Sequence, residues 1–202
     1  MKNIITIQHT QSIHHTNGMV GSWTDWDLSE LGIEQANKIG ERLAKQLEGK
    51  QYVMYASDLL RAKHTGEIVA GYLGITPIIR TELRERNLGR CCGKSVQWLR
   101  ENLEMQEETI DDRLFSDAES RRDEWNRLKP LFDEIMAGKD EYIIIVFHGD
   151  LLSVFNAMFL GLPVESLNDF ELFGMAGGVS FMFENNEGKR FVKRMGDLSY
   201  IS

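Results

Sequence analysis

Two short apolar runs in this sequence end in histidine. Asn3-Ile4-Ile5-Thr6-Ile7-Gln8 leads to His9, and Tyr142-Ile143-Ile144-Ile145-Val146-Phe147 leads to His148-Gly149. An imidazole has an unperturbed pKa of about 6.5, so near neutral pH it can act as nucleophile, proton carrier or donor to an anion. A single histidine is most often a hydrogen-bonded structural residue. A pair at the carboxyl ends of two buried strands is another matter, because open α/β sheets do their chemistry at that edge. A third run, Tyr52–Ala56, passes into Ser57-Asp58-Leu59-Leu60-Arg61, placing Arg61 one turn into the next helix. There it can share an anion with the positive helix end, although alone it would read as a solvated surface charge. Gln8, beside the first histidine, is neutral where an anion site favours a cation.

The elements that must carry these residues alternate. Residues 3–9 predict a buried strand. A helix follows from Ser29, a natural N-cap, with Ala36, Ile39, Leu43, Ala44 and Leu47 at helical spacing as far as Gly49. After Tyr52–Ala56, a helix capped by Ser57 carries Leu60, Ile68, Val69 and Leu73 as its apolar face and stops at Gly74. Thr76–Ile79 reads as an edge strand because of Pro77. Glu119–Met136 predicts a long amphipathic helix ending at Gly138 and kinked at Pro130. Tyr142–Phe147 is the most apolar strand and is followed by a helix over Asp150–Leu160. Val179–Glu184 and Arg190–Met195 form a hairpin about Asn186-Glu187-Gly188. The expected class is α/β: a three-layer α/β/α sandwich around a mostly parallel sheet, in a single domain over residues 1–202. Phe170, Leu172, Phe173 and Met175 read as core, their other use being a homodimer contact.

Composition narrows the function classes. The chain has 202 residues and a formal net charge of −8, which argues against a nucleic-acid partner but leaves room for a small anionic substrate in a local pocket. No apolar run approaches the roughly 20 residues of a membrane span, and no signal-peptide pattern opens the chain, so no membrane partner and a cytoplasmic location are expected. Cys91 and Cys92 are adjacent, read as packing residues in a reducing compartment. No metal-ligand cluster stands out: His14 and His15 are neighbours and from an extended strand would not face one ion together.

Further stretches join the pattern in order. They are Asp25-Trp26-Asp27-Leu28-Ser29-Glu30-Leu31-Gly32-Ile33-Glu34-Gln35-Ala36, Ser57-Asp58-Leu59 with Arg61-Ala62 and Thr65, and Leu83-Arg84-Glu85 with Leu88-Gly89 and Gly93. Glu119-Ser120 before a helix containing Arg127, and Val146-Phe147-His148-Gly149, complete the set. As an ordered series covering almost the whole chain, these resemble the histidine phosphatase superfamily, the phosphoglycerate mutase-like proteins. Each piece alone is a weak signal.

The resemblance implies a metal-independent phosphomonoester hydrolase that needs no cofactor and acts on a small phosphorylated substrate. His9 would attack phosphorus and form a transient phosphohistidine. His148 and Arg61 would hold the non-bridging oxygens, and Glu85 would protonate the leaving oxygen and then activate water. Gln8, Thr10, His15, Ser57 and Gly149 are the expected phosphate-binding neighbours.

Three departures cluster at the expected anion pocket. Gln8-His9-Thr10 replaces the family's Arg-His-Gly, His15 stands where an asparagine is usual, and Cys91-Cys92 precedes Gly93 in place of Trp-Glu. Two readings follow: a retuned hydrolase with a protonated His15 supplying the missing charge, or an impaired relative that binds phosphorylated ligands or a protein partner without turnover. Phosphoglycerate mutase activity is a further alternative. The one candidate lid is residues 95–118. It carries Glu101, Glu104, Glu107, Glu108, Asp111, Asp112 and Asp117, expected to disfavour highly anionic substrates, and Trp98, Leu99, Leu103 and Met105, expected to meet the substrate's non-phosphate part.

Overall fold

A computed structural model describes residues 1–202. Its centre is the pairing of the two strands that end in histidine. β1 (Lys2–Gln8) lies parallel to β4 (Tyr142–Phe147), with Ile7 opposite Val146 and Gln8 opposite Phe147. β2 (Val53–Ala56) is parallel to the other side of β4, and β3 (Ile78–Ile79) closes that edge. β5 (Val179–Glu184) runs antiparallel to β1 and forms a hairpin with β6 (Arg190–Asp197). The order is β3-β2-β4-β1-β5-β6. Pro77 directly precedes the edge strand, where a missing N–H is tolerated.

β2 and β4 are apolar at every position and β1 carries Ile4, Ile5 and Ile7, because both faces of these strands are covered. Along β4, Ile143, Ile145 and Phe147 face one core, with Leu128, Leu131 and Phe132 of α5 (Arg121–Ala137) and Leu151, Phe155 and Phe159 of α6 (Gly149–Leu160). Ile144 and Val146 face the other, with Ile39 and Leu43 of α2 (Glu30–Gln46) and Ala62 and Val69 of α3 (Leu60–Leu73). This is the expected three-layer α/β/α sandwich. Two short helices complete the chain, α1 (His14–Asn17) and α4 (Val96–Asn102).

Several local expectations change. Leu60 is exposed rather than part of the apolar face of α3, whose buried residues include Arg61, Ala62, Thr65 and Val69. The first N–H of α3 is capped by distant Asp25, whose Oδ1 accepts from Leu60 N at 2.7 Å, whereas Ser57 Oγ reaches only Leu59 N. α5 starts at Arg121 rather than Glu119, capped by Ser120 through a reciprocal box with Asp123, and it continues through exposed Pro130. Phe173 and Met175 are 56% and 63% exposed, not core, because residues 170–176 are a loop laid over the end of the sheet.

Gly32 shows how tightly the carboxyl edge is packed. A Cβ there would lie 1.9 Å from the Gln11 carbonyl oxygen, and the Gly32 carbonyl accepts the Thr10 hydroxyl at 2.7 Å. Backbone cannot yield as a side chain does, so Gly32→Ala is expected to cost about 1–3 kcal/mol in urea unfolding. Gly71→Ala in α3, where a Cβ meets nothing within 4 Å, serves as control and should be neutral or stabilising. Equal stability of the two variants would remove the backbone contact as the reason for the glycine.

Candidate active site

The parallel register places both histidines at one rim. His9 N donates to Phe147 O at 2.9 Å and Ser57 N donates to Val146 O at 3.1 Å, so three strand ends finish level. The His9 and His148 rings are 5.2 Å apart between centroids, and both residues are buried.

Hydrogen bonds assign the state of each ring. His9 Nδ1–H donates to the Thr10 carbonyl at 2.8 Å, which leaves the lone pair on Nε2. Arg61 Nε–H points at that Nε2 from 3.3 Å. Burial first, and the Arg61 charge second, hold His9 well below the ordinary histidine pKa, so its imidazole is neutral. His148 is held low by the same two causes in the same order. Its Nε2 meets Ser57 Oγ at 2.9 Å. That oxygen also accepts from Leu59 N at 3.3 Å, and in the arrangement where its own hydrogen goes to Nε2 the His148 proton sits on Nδ1. The buried Nδ1 has no partner within the chain, so in that arrangement it is a donor available to an anion.

Arg61 is 1% exposed, and its fork is fixed before any ligand arrives. Nη1 donates to Thr24 O at 3.0 Å and Nη2 to Ser22 O at 2.7 Å. Ser22 adopts φ 42°, a left-handed conformation, while its hydroxyl donates to Arg86 O. The loop over residues 21–25 is thereby tied to Arg61 and to the loop that carries Glu85.

Glu85 sits at the amino end of α6, immediately after His148. Its Oε1 accepts from Arg86 N at 3.0 Å and Leu151 N at 3.2 Å. Burial and the nearby Asp150 charge push its pKa up to about 7, against Arg61 and the backbone donors. The loop is positioned by Arg127, which pairs with Glu119 at 2.8 Å and donates to the carbonyls of Glu82, Arg84 and Glu85. Trp23 Nε1–H donates to Glu85 O at 2.6 Å.

The remaining residues divide. His15 stacks on His9 at 5.5 Å, and its Nδ1 accepts from Ser12 N at 3.1 Å. That acceptor role leaves Nε2–H as its donor and disfavours the imidazolium, and burial followed by Arg61 lowers its pKa as well. The expected positive charge on His15 is thus opposed by its own hydrogen bond. Thr10 turns away from the rim: its hydroxyl donates to Gly32 O, and its N–H donates to Thr65 Oγ1 at 3.2 Å. Its contribution is the carbonyl that orients His9. Gln8 packs between Gly149 and Gly174, where a Cβ would come within 3.2 Å and 2.3 Å of its amide, and its Oε1 is unpartnered.

The segment that carries His14 and His15 is not an extended strand. Instead α1 turns His14 to within 5.9 Å of the His9 ring, with the His14 pKa lowered to about 3, chiefly by burial. The Asn17-Gly18 turn that ends α1, with Gly18 at φ 71°, was the signal for this helix. No group of three His, Cys, Asp or Glu side chains is placed to hold a metal ion.

The histidine phosphatase superfamily (branch 1) matches residues 4–197 of the chain. This protein belongs to that superfamily. It is 31% identical over 183 residues to the glucosyl-3-phosphoglycerate phosphatase of Mycolicibacterium vanbaalenii, covering 82% of this chain and 77% of that one. The structure of Bacillus stearothermophilus YhfR superposes with a TM-score of 0.83 at 25% identity over 100% of both chains. The alpha-ribazole phosphatase of Shigella flexneri shares the fold, with a TM-score of 0.80 at 20% identity over 97% of this chain and 96% of that one. No helix of the chain is long and apolar enough to cross a membrane.

A stability prediction follows from the neutral rings. His9, His14, His15 and His148 all titrate below their ordinary value, so below about pH 6.5 the unfolded chain binds protons that the folded chain refuses. Glu85 and buried Glu124 are raised and act in the opposite sense, but they are fewer. Stability in urea should therefore fall from pH 6.5 to pH 5, by about 1 kcal/mol per pH unit for each fully buried ring. A His9→Gln/His148→Gln variant should show a shallower slope. An unchanged slope would mean that these rings are protonated in the fold.

Proposed function

We propose that this protein is a phosphomonoester hydrolase that acts on a small-molecule monophosphate through a phosphohistidine, using only its own side chains. The observation that carries the reading is the state of His9: Nδ1–H on the Thr10 carbonyl, and an Nε2 lone pair whose one partner is the Arg61 Nε–H, a donor that a phosphate oxygen would draw away. A nucleophilic imidazole needs that tautomer, and the developing charge on phosphorus needs a fixed cation beside it. The phosphatase relative from Mycolicibacterium vanbaalenii supports the reaction class.

In the first step His9 Nε2 attacks phosphorus, the bond to the ester oxygen breaks, and Glu85 gives its proton to that oxygen. The Thr10 carbonyl holds the Nδ1 proton through the charge change on the ring. In the second step Glu85 takes a proton from water, the hydroxide oxygen bonds phosphorus, and the P–N bond returns its electron pair to His9. Arg61 Nε–H, His148 Nδ1–H and His15 Nε2–H supply donors to the non-bridging oxygens throughout. Since Thr10 has no free polar group at the rim, the loss of the family's glycine there does not obstruct this scheme. Ser57 contributes by orienting His148, and Gly149 by letting the chain pass close to Gln8.

In a metal-free assay on p-nitrophenyl phosphate, wild type should turn over and His9→Ala should fall by at least about 10³-fold. Equal background rates would defeat the enzyme reading and leave binding without turnover. The kcat/KM profile should decline above about pH 7 as free-enzyme Glu85 loses the proton it must donate. Glu85→Gln should lower the rate and abolish that alkaline limb; survival of the limb would assign it to another group.

A further inference from the structure

Leaving-group selection would be expected to fall to residues 95–118, but apart from exposed Leu103 and Met105 the apolar side chains expected there, and four of the seven acids, are engaged elsewhere. Trp98 stacks on Phe115 at 5.7 Å, and Leu99 packs with it around Val20 and Cys91 in a small separate core. Among the acids, Glu104 and Asp117 pair with Arg90, Glu107 with Arg86, and Asp111 with Arg122. Paired carboxylates do not project a repulsive field as free ones do. The segment is also tied at both ends, through Val96 N to Gly18 O at 2.9 Å and Ile110 N to Asn168 Oδ1 at 2.8 Å.

On the other side of the rim lies a groove of about 510 Å³ lined by Gln8, Gln11, His15 and Gln35 and walled by Phe173, Met175, Leu198 and Ile201. His15 joins it to the site, since it lines the groove and stacks on His9, while His9, Arg61, Glu85 and His148 stand outside the lining. Phe173 marks the same junction: a Cβ on Gly149, the residue after His148, would lie 2.8 Å from the Phe173 ring. Apart from His15 no titratable side chain lines the groove. Gln11 and Gln35 spend their amide oxygens on Ser29 Oγ–H and Gln11 N–H, which leaves their amide N–H groups to offer. Two large apolar side chains, Phe173 and Met175, stand more than half exposed beside a site built for a dianion. Exposure of that kind next to a reactive centre favours an apolar occupant.

We infer that this groove holds the leaving group, and that it selects monophosphates whose leaving group is uncharged and largely apolar, with Phe173 and Met175 as specificity residues. The inference rests on the hydrolase reading of the rim. With no lysine or arginine in the groove, a carboxylate or second phosphate on the leaving group would give up water for neutral amide donors alone and gain no countercharge. An apolar ring gains contact with Phe173 and Met175, and any ether or hydroxyl oxygen meets the amide donors.

The test compares 1-naphthyl phosphate with 3-phosphoglycerate. Wild type should favour the naphthyl ester in kcat/KM. Phe173→Ala/Met175→Ala should lower its value by about 10-fold while 3-phosphoglycerate changes by less than about two-fold. Met175→Lys should shift the ratio toward 3-phosphoglycerate. Loss in equal proportion for both substrates, or a wild-type preference for 3-phosphoglycerate, would overturn the inference while leaving the hydrolase intact. If neither ester turns over, the hydrolase reading fails, and titration calorimetry with 1-naphthyl phosphate decides the groove by itself. Binding weakened about 10-fold in the double variant supports it, and unchanged binding sinks it.

Discussion

A buried guanidinium among uncharged imidazoles organises this molecule. Arg61 enters from the first turn of α3, loses almost all of its solvent, and is repaid by the carbonyls of Ser22 and Thr24 together with the field of Glu85 and Asp25. Burial first, and its charge second, lower the pKa of the histidines around it, so that His9 is neutral. The cation offered to an anion at this rim thus also favours the uncharged form of the imidazole beside it.

Such a site must be held rigid by its surroundings, since a small displacement of a reacting atom is costly in rate. Three backbone devices do this. The parallel register of β1, β4 and β2 levels the strand ends, Gly32 lets α2 close onto the Gln11 carbonyl, and the positive φ of Ser22 turns a carbonyl onto Arg61. Arg127 performs the matching task for Glu85 by collecting the carbonyls of the loop that bears it. Glu124 is buried nearby, and burial pushes its carboxyl toward the protonated form.

The departures from the family pattern now have separate physical meanings. The Thr10 hydroxyl secures the first strand's exit to α2 and α3, so its bulk lies away from the rim. Gln8 borders the uncharged groove with its amide between two glycines. Cys91 is buried in the small core under residues 95–118, and Cys92 contacts Ser22 Oγ at 3.3 Å. The acidity of that segment is largely internal bookkeeping between neighbouring arginines.

Much of this was legible in the chain itself. Apolar runs buried on both faces, each ending in histidine, specify parallel central strands, and their chemistry follows from where such strands end. Helix stops at glycine, the edge position of β3 and the ordered motifs are equally local. What only the tertiary structure decided were the long-range pairings. Distant Asp25 caps α3, α1 folds His14 onto His9, arginines neutralise the acidic segment, and Phe173 stands at the rim rather than in the core. The physical reason is common to all of them: hydrophobic periodicity reports which face of an element is buried, but carries no information on which distant polar group meets it there.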